Sequence, residues 1–198
     1  NIGTLRIGAS ITIGTHILPE LIKEYQKHNP DLRLEVIVNK SSAIEQHILD
    51  NKIDIGLIEN QSEHPDIILR PFMEDKLCAI VPPDSSLASK TSITLEELAL
   101  HPFLMREKGS AGREILDAYF SLWESSSTQA IVQGVAMGLG VSVLPEMMIK
   151  KDILEHRVSY LSFPKPLKRN LNLILHRNKH LTKNMKSFIE YCMLYSEK

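Results

Sequence analysis

Cysteine is nearly absent from this chain. The 198 residues include only Cys78 and Cys192, far apart and outside any C-x-x-C pair, so no disulfide framework is expected and a reducing, cytoplasmic setting is the default. An excess of one charge sign is lacking too: 23 Lys and Arg stand against 24 Asp and Glu, a net charge of -1. That balance offers neither a basic footprint for nucleic acid nor an acidic solvating block. The denser basic stretches at 165–169 and 177–186 read as solvated surface. Long hydrophobic runs are missing as well. The longest, 131–145, is broken by Gln133, Gly134, Gly138, Gly140 and Ser142, and is too short to span a bilayer. No signal peptide is visible. The chain opens on Asn1, not Met, and is read as a fragment or a processed chain.

Catalytic templates are also absent. There is no G-x-S-x-G elbow, no H-E-x-x-H and no G-x-x-x-x-G-K-[ST] loop. Gly134, Gly138 and Gly140 follow a helical pattern instead of opening one, so helix termination and close packing explain them. His176 and His180 are four apart, but His176 ends a strand pattern and no Cys or acidic partner completes a metal site. Glu96 and Glu97 fall in an early helical turn, where they suit the helix dipole. The expectation is a binding protein with no enzymatic activity, no cofactor and no metal.

What is present is 43% apolar content arranged in alternating strand and helix signals. Leu5, Ile7 and Ala9 alternate as a strand, followed by a helix over 15–28 that Thr15 could cap and in which Pro19 is tolerated in the first turn. Asn29-Pro30-Asp31 is a stop. Residues 34–38 read as a strand, 41–51 as a helix capped by Ser41 or Ser42, and 53–58 as a strand apolar enough to be buried on both faces. Strand, helix, strand, helix, strand implies a parallel sheet with right-handed crossovers. The pattern then changes to two strands, 67–72 and 77–81, joined by a short turn. A second α/β run follows: a short helix from Thr94, strands at 103–105, 122–124, 141–144 and 157–161, a loop at 109–113 entering a helix at 114–120, and helices at 128–137 and 145–150. A strand at 171–175 and an amphipathic helix at 180–195 close the chain. The helix ending at Phe120 meets the strand at 122–124 with no turn residues between them, so either the helix continues through Leu122 or a loop is missing near 120–124, and the missing loop is favoured.

Helix starts are the remaining signal. Ser10 and Thr12, Ser41 and Ser42, Gly109 and Ser110, and Ser127 and Thr128 all lie where a strand hands over to a helix. In a parallel sheet those junctions share the carboxyl edge, where free N–H groups and hydroxyls suit an oxyanion. A serine before a helix is most often only a cap. Ser10 and Thr12 carry the functional reading furthest, because Thr15 could cap the helix without them. Arg106 and Arg113 flank the later loop and could add charge.

Taken together, LRIGAS at 5–10, ILPELIKEYQKHNPDLRLEV at 17–36, KIDIGLIE at 52–59, EDKLCAIVPPDSSLA at 74–88, ITLEELALHPFLMREKGSAGR at 93–113 and SSTQAIVQGVAMGLGVSVLP at 126–145 resemble the effector-binding, or regulatory, domain of a LysR-type transcriptional regulator. The resemblance covers essentially the whole chain. It implies an α/β fold of two Rossmann-like lobes with a cleft between them, periplasmic-binding-protein-like (type 2), joined by two crossover strands. Lobe I would be 1–73 plus 170–198 and lobe II 74–169. The effector site it implies is Ser10, Ile11, Thr12, Ser41, Ser42, Glu59, Gly109, Ser110, Ser127 and Thr128. The effector would be a small polar molecule, a carboxylate or another oxyanion. The implied partners are a second copy in a homodimer or tetramer, paired partly through the helix over 17–28. DNA would be reached only through an N-terminal winged helix-turn-helix that this fragment lacks, with RNA polymerase as a further partner and no membrane. A secreted solute-binding protein of a transporter is the alternative reading of the same lobes.

Overall fold

A computed structural model describes residues 3–107 and 123–195. The chain divides into two compact units, Asn1–Glu74 with Asn170–Lys198, and Asp75–Arg169.

In the first unit, β1 (Thr4–Ser10) buries Leu5, Ile7 and Ala9 at 1% exposure or less. It pairs in parallel with β2 (Arg33–Asn39) on one side and β3 (Ile55–Ile58) on the other. β9 (Leu167–His176) runs antiparallel to β3, with Asn172 opposite Ile58. All four residues of β3 are buried, as a parallel strand covered on both faces requires. One cover is α3 (Ser41–Leu49), whose Ile44 and Ile48 pack with Ile53, Ile58, Ile67 and Ile174. The fit leaves no room at Gly8, where a Cβ would lie 2.4 Å from Ile53 Cδ1. Elsewhere in the unit, α2 (Leu18–His28) meets α7 (Lys183–Tyr195) through Tyr25, whose ring lies edge-on to Phe188 at 5.1 Å and whose hydroxyl donates to Ser187 Oγ at 3.2 Å.

Two expectations change here. The single helix over 15–28 is two: α1 (Ile11–His16) and α2, broken at Ile17. Proline explains the break. In a continuous helix Pro19 would have no N–H for the Thr15 carbonyl and its ring would clash there, whereas near the start of a new helix the missing donor costs nothing. The two strands expected at 67–72 and 77–81 are one 15-residue strand, β4 (Ile67–Val81). The polar stretch Glu74-Asp75-Lys76, where the turn was expected, stays extended: it holds no Gly or Pro, and its one turn-favouring residue, Asp75, is buried against Arg169, 3.1 Å away. β4 and β9 each pass from one unit into the other.

In the second unit, the later half of β4 pairs antiparallel with β7 (Ser142–Pro145) and β8 (Ser159–Leu161). β5 (Leu104–Arg106) pairs in parallel with β6 (Trp123–Ser125). α4 (Leu95–Leu98) opens with a complete capping box between Thr94 and Glu97. Two apolar clusters form its core, one around Phe103, Val143 and Leu161, the other around α5 (Thr128–Ala136) and α6 (Glu146–Leu154). Gly138 ends α5 at φ +80, and Gly140 brings the chain so close to Pro102 that a Cβ would sit 2.3 Å from the Pro102 carbonyl oxygen. The loop expected at 109–113, the helix expected at 114–120 and the loop expected near 120–124 fall wholly or partly outside the described residues.

Candidate functional site

The register of the first unit decides what gathers at one edge. β1, β2 and β3 all run the same way, so their carboxyl ends coincide: Ser10 is paired with Asn39, and Ala9 with Leu57. The residues leaving those strands are therefore neighbours along one edge. They are Ser10 to Thr12 from β1, Ser41 and Ser42 after β2, and Glu59 after β3. Ser10 and Thr12 are buried, at 1% and 3% exposure, while Ile11 projects outward at 54%. Ser41 and Glu59 are half-buried and Ser42 is exposed.

One side-chain bond ties this edge together. The Ser10 hydroxyl donates to Glu59 Oε2 at 2.6 Å, and Ser10 Oγ accepts the Ile13 amide at 3.4 Å. Ser10 is thus the N-cap of α1, which corrects the expectation that it is spare. Thr15 caps nothing. It lies inside α1, and its hydroxyl donates back to the Ile11 carbonyl at 2.7 Å. Thr12 lies in the first turn of α1. Ser41 and Ser42 are the first residues of α3, after Lys40 at the N-cap, with no side-chain cap bond. Neither hydroxyl is consumed in capping.

Asn172 is a residue that reasoning from helix starts missed. Its side chain, fully buried within β9, donates from Nδ2 to the Asn60 carbonyl at 3.1 Å, next to Glu59. Its Oδ1 has no hydrogen-bond partner among the described residues. The available signal was a lone asparagine inside the apolar run Leu171-Asn172-Leu173-Ile174-Leu175.

In the second unit, Ser127 is the N-cap of α5 and accepts the Ala130 amide at 3.2 Å. Thr128 Oγ1 accepts from Arg106 Nη1 at 2.9 Å. The same guanidinium meets Glu107 through Nε at 3.1 Å and Nη2 at 3.2 Å. Arg106, Ser125 and Thr128 come together because β5 and β6 pair in parallel, with Arg106 opposite Ser125. Gly109 and Ser110 lie outside the described residues, as does Arg113. Among the described residues no group of three His, Cys, Asp or Glu side chains is placed to hold a metal ion, and no helix is long and apolar enough to cross a membrane.

At the opposite, amino end of β1, Asp54 receives the Arg6 guanidinium at 2.8 Å, the Arg6 amide at 2.9 Å and Lys179 at 2.8 Å. Burial pushes the Asp54 carboxyl up, but the hydrogen bonds from Arg6 and Lys179 outweigh it and hold the group down at about 2. Burial pushes the Cys78 thiol up to about 12, and that of Cys192 further in the same direction.

Comparison with known proteins gives a consistent picture. The family model for the LysR substrate binding domain matches residues 1–194. The uncharacterized HTH-type transcriptional regulator YeiE of Escherichia coli (strain K12) is 38% identical over 199 residues, covering 96% of this chain and 68% of that protein. The chain therefore spans about two thirds of that relative's length. Among solved structures, the effector binding domain of QuiR in complex with shikimate superposes with a TM-score of 0.85 at 22% identity, covering 100% of this chain and 98% of that one. The Synechocystis PCC6803 CcmR regulatory domain in complex with 2-PG superposes with a TM-score of 0.85 at 25% identity, covering 99% and 98%.

Proposed function

The chain belongs to the LysR substrate-binding domain family, and from that premise we propose that it senses a small polar effector, an oxyacid. The fold is the type 2 periplasmic-binding-protein-like fold of LysR effector-binding domains. The observation that carries the proposal is the shared carboxyl edge of β1, β2 and β3. There the register brings Ser10, Thr12, Ser41, Ser42 and Glu59 together, with Ser10 bonded to Glu59 at 2.6 Å. In the second unit the candidate effector residues are Ser127 and Thr128 at the start of α5, with Arg106 beside Thr128, and Gly109 and Ser110. Support comes from QuiR and CcmR, whose domains are described in complex with shikimate and 2-PG.

The output is a change in transcription, made by the DNA-binding part of a full-length regulator. A ligand acts only through its preference between two arrangements, and about a hundredfold preference corresponds to roughly 2.7 kcal/mol. The protein works as a homodimer or tetramer in the cytoplasm, with RNA polymerase as a further contact, and as a binding module it turns nothing over. β2, which pairs only with β1 among the described residues, leaves Val36, Ile37 and Val38 40–45% exposed, and a second copy would cover them. The solute-binding alternative is not favoured, since the matched relative is a transcriptional regulator.

The test is a melting-temperature screen of organic acids, amino-acid precursors, sulfate and phosphate esters, followed by titration of Ser41→Ala and Thr128→Ala against any binder. Each substitution should weaken binding about five- to tenfold, the loss of one hydrogen bond. Unchanged affinity in Thr128→Ala would remove Thr128 from the effector residues.

A further inference from the structure

We propose that Glu59 makes this site select an oxyacid that still carries an O–H, and reject one that is fully deprotonated and has no hydroxyl. The inference rests on the effector reading above and narrows the ligand's chemistry. It begins with where the protons are. The single Ser10 hydroxyl hydrogen is spent on Glu59 Oε2 at 2.6 Å, and one Ser10 lone pair is taken by the Ile13 amide. A hydroxyl has one donor and two acceptor positions, so toward a ligand Ser10 can only accept. A carboxylate likewise only accepts, and Glu59 Oε1 has no hydrogen-bond partner among the described residues. No Lys, Arg or His among the described residues pairs with Glu59 as a salt bridge.

The strand ends of the first unit therefore present acceptors and a negative charge on the same edge from which α3 starts, and the first amides of a helix are donors. An oxyanion with no proton satisfies the amides but meets Glu59 as an unrelieved like charge in a half-buried setting. An oxyacid retaining an O–H satisfies both: its oxygens take the amides and its O–H donates to Glu59 Oε1. A site built to bond a hydroxyl discriminates strongly against the analogue lacking it, because the polar group of the protein is left unpaired. The O–H can belong to the acid itself or to a neighbouring alcohol carbon. The recognition chemistry is the same.

Two matched pairs of probes separate those sources. Inorganic phosphate keeps a proton near neutral pH and sulfate does not. Lactate carries an alcohol next to its carboxylate and propionate does not. Titration calorimetry and melting temperature are measured for all four against the chain and against Glu59→Gln, whose amide can donate. The expected result is that the unaltered chain prefers the O–H member of at least one pair by about tenfold or more, and that Glu59→Gln shrinks that ratio by raising affinity for the member without the O–H. A preference confined to the phosphate pair assigns the proton to the acid, and one confined to the lactate pair assigns it to an alcohol. Absence of preference in both pairs, whether both members bind alike or neither binds, overturns the inference, as does a ratio unchanged in Glu59→Gln. Thr128→Ala keeps the two readings apart. Preserved O–H preference with unchanged affinity in that variant would remove Thr128 from the effector residues while leaving the role of Glu59 intact.

Discussion

Asn172 is buried where β9 lies beside β3, and its amide holds the Asn60 carbonyl next to Glu59 at 3.1 Å. Removing that amide deletes the hydrogen bond that holds the segment next to Glu59. Asn172→Ala should lower stability by about 1–3 kcal/mol in a urea melt and weaken effector binding without touching the ligand-facing hydroxyls. Asp54 gives a pH signature. Its folded value, about 2, lies below its ordinary one, so the stabilisation is present above pH about 4 and is lost as pH falls through the folded value. Asp54→Asn should be about 1–2 kcal/mol less stable at pH 7, discounted for partial solvent screening, and should lose less than the unaltered chain between pH 4 and pH 2 in acid melts. The two thiols are a quieter case. Both are buried with raised pKa, so iodoacetamide at pH 8 should label Cys78 and Cys192 only when the chain is unfolded.

At the scale of elements, local chemistry explains most starts and stops. Ser10, Thr94 and Ser127 cap α1, α4 and α5. Pro19 parts α1 from α2, and Gly138 ends α5. The strands at 5–9 and 34–38 and the helix after Lys40 were legible because apolar alternation, a β-branched run and the four-residue spacing of Ile44 and Ile48 act over a few residues, although the hydroxyl cap expected from Ser41 or Ser42 is not made. Less legible was the unity of β4, since nothing near Asp75 in sequence announces its partner Arg169, 94 positions away. Close packing between elements gives a further test. Gly140→Ala should destabilise the chain by about 1–3 kcal/mol in chemical denaturation, because the added methyl meets the Pro102 carbonyl, backbone that cannot swing aside as the neighbouring Leu104 side chain can.

For the whole molecule, two units with separate cores are linked by two strands, β4 and β9. A ligand that binds only the folded chain stabilises it by about 2.7 kcal/mol at a hundred times its Kd. For a chain of this length that should raise the melting temperature by about 5–10 °C. Failure of every oxyacid in the screen to raise it would count against the sensor reading. If a second copy covers β2, Ile37→Lys should shift the chain toward monomer in light scattering while leaving its melting curve cooperative.

The amino-acid sequence alone determined the alternation of strands and helices, the family resemblance and the set of strand-to-helix junctions. Each of those rests on interactions between residues close along the chain, or on a pattern read across all of it. Tertiary structure alone decided which protons and charges those junctions present. Ser10 and Glu59 are 49 positions apart, and Asn172 and Asn60 are 112 apart. Only the parallel register of β1 with β3, and the antiparallel register of β3 with β9, brings each pair within hydrogen-bonding distance. Once paired, the serine has no hydrogen left to offer a ligand, a consequence of geometry that no local propensity encodes.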